Sequence, residues 1–118
     1  DLAKGTPGPR RVFAQLTEAD GYPDGLCVDA EDHVWSAHWA GGRLTRYRPD
    51  GTKARTIEIP APNVTCCCFG GANLDTLFVT TARIGLSDEQ LATAPLTGGV
   101  FAVEGLGIRG RPAYRFAR

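Results

Sequence analysis

The sequence predicts an all-β fold, about two four-stranded antiparallel propeller blades with one strand of a preceding blade and a short helical insertion. Three observations carry this. Short apolar or alternating runs are cut by turn residues throughout, at Gly41-Gly42, Pro49-Asp50-Gly51, Gly70-Gly71 and Gly98-Gly99. Aligning Asp24-Gly25-Leu26-Cys27-Val28 with Thr65-Cys66-Cys67-Cys68-Phe69 gives an internal period of 41 residues. Four short strands within a period of about 40 residues are the signature of a blade.

The elements follow in order. Residues 1–9 hold Gly5-Thr6-Pro7-Gly8-Pro9 and read as a loop. Arg11 to Leu16 is a strand candidate, so residues 10–16 become the outer strand of the preceding blade. Tyr22-Pro23-Asp24-Gly25 has turn chemistry, because Pro presets φ and Gly supplies conformational freedom. Leu26 to Ala30 and Val34 to Trp39 are the next strands, and Asp29 to His33 is the polar tip between them. Arg43 to Tyr47 alternates polar and apolar, as a half-buried strand does. Ala54 to Ile59 closes a blade spanning 24–60.

The last blade, 63–118, takes Val64 to Phe69, Leu77 to Thr81, Val100 to Val103 and a weaker strand at Tyr114-Arg115-Phe116. Between them lies a helix start. Ser87 caps, Gln90 is the reciprocal partner, and Leu86 and Leu91 form a staple. Asp88 and Glu89 suit the positive end of the helix dipole, and Pro95 ends the helix near Ala94.

Composition narrows the function classes. Thirteen basic and thirteen acidic residues cancel, which disfavours nucleic acid or an acidic membrane as partner. No segment approaches the ~20 apolar residues of a membrane span. The four cysteines are Cys27 and the run Cys66-Cys67-Cys68, whose spacing suits no zinc site. They read as small buried side chains kept reduced in a cytoplasm. The basic end from Arg109 to Arg118 reads as a solvated edge. No Ser-His-Asp triad, Walker loop or dinucleotide fingerprint is present.

Candidate site residues cluster at one end of the predicted blades. Asp24 stands at the mouth of a strand that enters the core, where an acid either caps its own turn or projects into a site. The second strand of each blade returns to that end, bringing His38, Trp39 and Arg83 to its level. His38 either packs or lines a pocket, Trp39 packs or walls a cyclic substrate, and Arg83 makes a surface ion pair or meets a substrate oxygen. Asp29, Glu31 and Asp32 lack the spacing of a calcium loop and read, with His33, as a solvated hairpin tip.

The series from Asp20-Gly21-Tyr22-Pro23-Asp24-Gly25 through Val34-Trp35, Gly41-Gly42-Arg43 and Pro49-Asp50-Gly51 resembles the regucalcin (senescence marker protein), gluconolactonase and luciferin-regenerating enzyme family. It continues at Thr65 to Gly71, Thr80 to Arg83, Gly98-Gly99-Val100-Phe101 and Gly105 to Gly110. The resemblance implies a partial six-bladed propeller, with this chain as its C-terminal portion. It implies one divalent cation (Ca2+, Zn2+ or Mg2+) in the central channel, held by a Glu, an Asn and an Asp. It also implies hydrolysis of sugar lactones or related cyclic esters.

Of those ligands only the Asp is matched, at Asp24, which the resemblance makes metal ligand and catalytic base. The family's Glu and its Ser-Asn-Gly motif have no counterpart, and neither Asn63 nor Asn73 takes that role. Thr65 stands where a second Asp24 would. The enzymatic reading is therefore part of a metal-dependent lactonase. The alternative is a non-catalytic calcium-binding or regulatory propeller, or an inactive remnant. Two blades cannot close a ring, so either an N-terminal half is missing or copies associate over open apolar faces.

Overall fold

The computed structural model describes residues 5–114. The apolar runs between turn residues become strands. β1 (Tyr22–Val28), β2 (Val34–Trp39), β3 (Arg43–Tyr47) and β4 (Lys53–Glu58) form an antiparallel sheet in sequence order. β5 (Val64–Gly70), β6 (Thr76–Thr81) and β7 (Val100–Val103) form a second.

Residues opposite one another in an antiparallel ladder share a face. Cys27, Trp35, Ala37, Leu44 and Ile57 line one face of the first sheet. Cys67, Phe69, Leu77, Val79, Phe101 and Val103 line one face of the second. These two faces meet and form the core, closed at its ends by Ile59, Ala61, Leu106 and Ile108. Trp35 meets Phe69 edge-on, with ring centroids 6.0 Å apart. Leu44 and Leu77 are fully buried, and truncating either to Ala costs about 2–5 kcal/mol.

The internal repeat is visible in this packing. Leu26 and Cys67 are period-equivalent. Cys67 is covered by the first sheet, whereas Leu26, with nothing packed over it, is 61% exposed. Each sheet thus offers one face to a predecessor and the other to a successor, which is how blades stack around an axis.

Several details depart from expectation. Residues 10–16 form no strand. A strand needs a neighbour's backbone donors and acceptors, and this segment pairs with no strand among the described residues. Instead Phe13 lies edge-on to Tyr47, at 6.3 Å, and its carbonyl passes over Gly51, where a Cβ would collide with it. The segment ends in a single 3-10 turn, Glu18–Asp20. The second sheet has three strands rather than four; Tyr114 is irregular and exposed, and Arg115 and Phe116 fall outside the described residues.

The helix α1 (Asp88–Thr93) has the expected capping box. Gln90 N donates to Ser87 Oγ at 3.2 Å, and Ser87 N donates to Gln90 Oε1 at 2.9 Å.

Candidate functional site

The stretch Tyr22-Pro23-Asp24-Gly25 is not a turn: it lies inside β1 and contains a bulge. Pro23 pairs with His38 and Leu26 with Ser36, so Asp24 and Gly25 together face the single residue Ala37. β1 is an edge strand of its sheet, where the missing N–H of Pro23 is tolerated. β5 carries the same irregularity. Val64 pairs with Thr81 and Cys66 with Thr80, leaving Thr65 as the extra residue. Bulges re-aim side chains and are over-represented beside active sites.

Close packing fixes the first bulge. A Cβ on Gly25 would lie 2.5 Å from Cys66 Sγ and 2.7 Å from the Thr65 carbonyl oxygen. Only glycine lets the innermost strands of the two sheets approach this closely. Asp24 is exposed, and its carboxylate has no hydrogen bond or ion pair among the described residues. It does not cap its own strand. Thr65, by contrast, is closed on a neighbour: its Oγ1 lies 2.8 Å from Thr80 Oγ1.

His38 and Trp39 come to the level of Asp24, opposite Pro23 and Tyr22. His38 is fully buried, and its Nδ1 donates to the Asp20 carbonyl at 2.7 Å. Its Nε2 is buried without a partner among the described residues. Trp39 is half-buried, with its carbonyl packed against Gly21. Arg83 is exposed beyond the end of β6, its stem against Gly98, and makes no ion pair among the described residues. Asn63 ties this end together. Its Oδ1 accepts from Ala40 N at 3.3 Å and its Nδ2 donates to the Ile84 carbonyl at 3.0 Å. Both ends of the amide are thus engaged in scaffolding.

Two acids do structural work that the sequence pattern concealed. Asp20 accepts from Lys53 Nζ at 2.7 Å and from Thr17 N and Oγ1 at 3.0 and 2.8 Å. Lys53 first, then Thr17, holds this carboxyl well below the usual carboxylate range. Asp29, expected on a solvated tip, is fully buried. Trp35 Nε1 donates to it at 2.9 Å, Arg46 Nε at 2.8 Å, and the backbone N–H groups of Glu31 and His33 at 2.9 and 3.1 Å. Burial opposes ionisation of Asp29 most strongly, yet Arg46 and the three N–H donors together overcome it and lower its pKa. The guanidinium of Arg46 lies over the Trp35 ring, 5.9 Å from its centroid. The signal for this network was the acid six residues before a tryptophan, in register with an arginine on the next strand.

A divalent cation needs several oxygen ligands. Among the described residues no group of three His, Cys, Asp or Glu side chains could hold a metal ion. Asp24 fits as one free carboxylate of such a set, and the described residues do not supply the rest. Nor is any helix among the described residues long and apolar enough to cross a membrane.

Two stacked antiparallel sheets, an inner-strand bulge bearing a free carboxylate and a 41-residue period define a pair of propeller blades. Residues 1–83 match the family model described as SMP-30/Gluconolactonase/LRE-like region, and the chain belongs to that family. It is 41% identical to regucalcin of Gallus gallus over 118 residues, covering 99% of this chain and 40% of that protein. Regucalcin of Homo sapiens is 40% identical, with the same coverage. Among solved structures, a calcium-binding protein, regucalcin, from Agrobacterium tumefaciens superposes with a TM-score of 0.85 at 36% identity, over 98% of this chain and 40% of that one. A luciferin-regenerating enzyme matches with a TM-score of 0.70 at 38% identity, over 80% of this chain and 31% of that one. The chain therefore spans about two-fifths of the regucalcins it matches.

Proposed function

We propose that this chain is part of a divalent-metal-dependent lactonase that hydrolyses sugar lactones or related cyclic esters. Asp24 supplies one carboxylate to the cation and acts as base toward water. The observation that carries the reading is the bulge: it presents an acid with no structural partner, at a strand end facing away from the core. A bound cation would polarise the ester carbonyl. Asp24 can serve as base because no described residue competes for its oxygens. Trp39 and Arg83, at the same end, would serve as an apolar wall and a cationic contact for a cyclic substrate, and His38 lies buried beside Trp39 in β2. The remaining ligands and blades come from the part of the propeller that this chain does not contain, and those blades cover its two open faces. The reduced cysteines suit a cytoplasmic setting.

A second reading is a non-catalytic calcium-binding propeller, favoured by the description of the Agrobacterium relative as a calcium-binding protein. A hybrid in which this chain replaces the matching two-fifths of that relative separates the two. Calcium titration and gluconolactone hydrolysis are measured with Asp24 present and with Asp24→Ala. Loss of both on substitution supports the lactonase. Calcium binding that needs Asp24, without hydrolysis, selects the non-catalytic reading. Equal calcium affinity in both hybrids removes Asp24 from the site.

A further inference from the structure

Cys27 on β1 and Cys67 on β5 face each other across the contact between the two sheets, with Sγ atoms 3.7 Å apart. We propose that this pair is a modification site, which a hydroperoxide such as hydrogen peroxide closes into a disulfide joining the innermost strands of adjacent blades. The inference goes beyond the lactonase reading and needs none of it.

Three features favour the pair. The sulfurs are already in van der Waals contact and must close only to the ~2.05 Å of a disulfide. The two thiols differ in access: Cys27 is half-buried and reachable, whereas Cys67 is buried behind it. They also differ in chemistry. The Cys67 S–H pulls the Cys27 thiol below its ordinary range, against burial and the nearby Asp29 charge. The same contact, with burial, pushes the Cys67 thiol up. Cys27 is thus the attacking thiolate and Cys67 the resolving thiol. Cys68 alternates onto the other face of β5, and the exposed Cys66 has its Sγ against Gly25 rather than at Cys27, so Cys67 is the thiol in contact with Cys27.

The step balances. The Cys27 thiolate attacks one peroxide oxygen, the O–O bond breaks, and the departing hydroxide takes a proton to become water. Cys27 is left as a sulfenic acid. With the Cys27 charge gone, the Cys67 sulfur attacks the Cys27 sulfur and the S–O bond breaks. The hydroxide that leaves takes the Cys67 proton as a second water. Two thiols and one peroxide yield one disulfide and two waters, and the sulfurs give up the two electrons that the peroxide gains.

The test uses the full chain as a Cys66→Ser/Cys68→Ser variant, in which only the proposed pair remains. It is treated with hydrogen peroxide, alkylated in denaturant and mapped by mass spectrometry under non-reducing conditions. The expected product is an intramolecular Cys27–Cys67 link with no alkylation at either sulfur. The urea midpoint should rise, because the link closes a long loop, and dithiothreitol should reverse it. The untreated variant serves as reference, and the wild-type chain is mapped in parallel for the same peptide. Adding Cys27→Ser should leave Cys67 fully alkylated after peroxide. Cys67 still alkylated in the two-cysteine variant, Cys27 over-oxidised beside a free Cys67, or a link joining two chains overturns the proposal.

Discussion

The two blades carry the same irregularity at the same place and fill it differently. In the first, the bulge of the innermost strand holds Asp24, exposed and without a partner among the described residues. In the second it holds Thr65, whose hydroxyl is closed on Thr80. The far ends differ too. Asp29 anchors the first hairpin through Arg46 and Trp35, whereas Gly70 occupies the period-equivalent position in the second. The repeat therefore fixes where a side chain is presented, and the residue placed there decides whether it serves the scaffold or remains available to a ligand.

The strongest way to break this contrast is at the buried acid. Asp29→Ala leaves the Trp35 N–H and Arg46 Nε without their buried acceptor, Arg46 keeping only its contact to the exposed Glu31 carboxylate at 2.7 Å, and should destabilise the chain by about 3–5 kcal/mol, read from urea unfolding. In the hybrid with the Agrobacterium relative, Asp24→Ala should weaken calcium binding about 100-fold, or about 2.7 kcal/mol, with little change in the unfolding midpoint. Calorimetric titration beside urea unfolding checks both halves of that statement.

Gly25→Ala tests the spacing between blades. Its Cβ would meet Cys66 and the Thr65 carbonyl, and the resulting strain should cost about 1–3 kcal/mol.

Acid should act through the paired acids Asp20 and Asp29. The folded pKa values of Asp20 and Asp29 are depressed. Their stabilisation is complete above the unfolded carboxyl value of about 3.9 and is lost as pH falls below it. Asp20→Asn should flatten the low-pH limb of a stability-against-pH curve. The smallest effect belongs to Thr65→Val, which removes an exposed hydroxyl pair: less than about 1 kcal/mol, with calcium affinity in the hybrid unchanged.

Much of this was legible beforehand because it is local. The helix at Ser87 followed from a capping box, and β7 from an apolar run after two glycines. The period located the two blades because each repeats the same spacing of apolar runs. What escaped depended on neighbours distant in sequence. Asp24-Gly25 has the composition of a turn, and only its pairing with β2 and its contact with Cys66 reveal a bulge. Residues 10–16 have strand composition and no strand to join. Asp29 sits in a polar run, and its burial follows from Arg46 across the ladder. His38, Trp39 and Arg83 were placed at the correct end by strand direction alone, but direction says nothing of depth, and His38 is entirely enclosed.

The uncovered sides of the pair are not alike. One exposes Leu26 and Val28, the other Phe78 and Val100. A copy stacked as the next blade would set the Leu26 and Val28 side of one against the Phe78 and Val100 side of another, and such a head-to-tail series either returns to its start as a ring or grows into a filament.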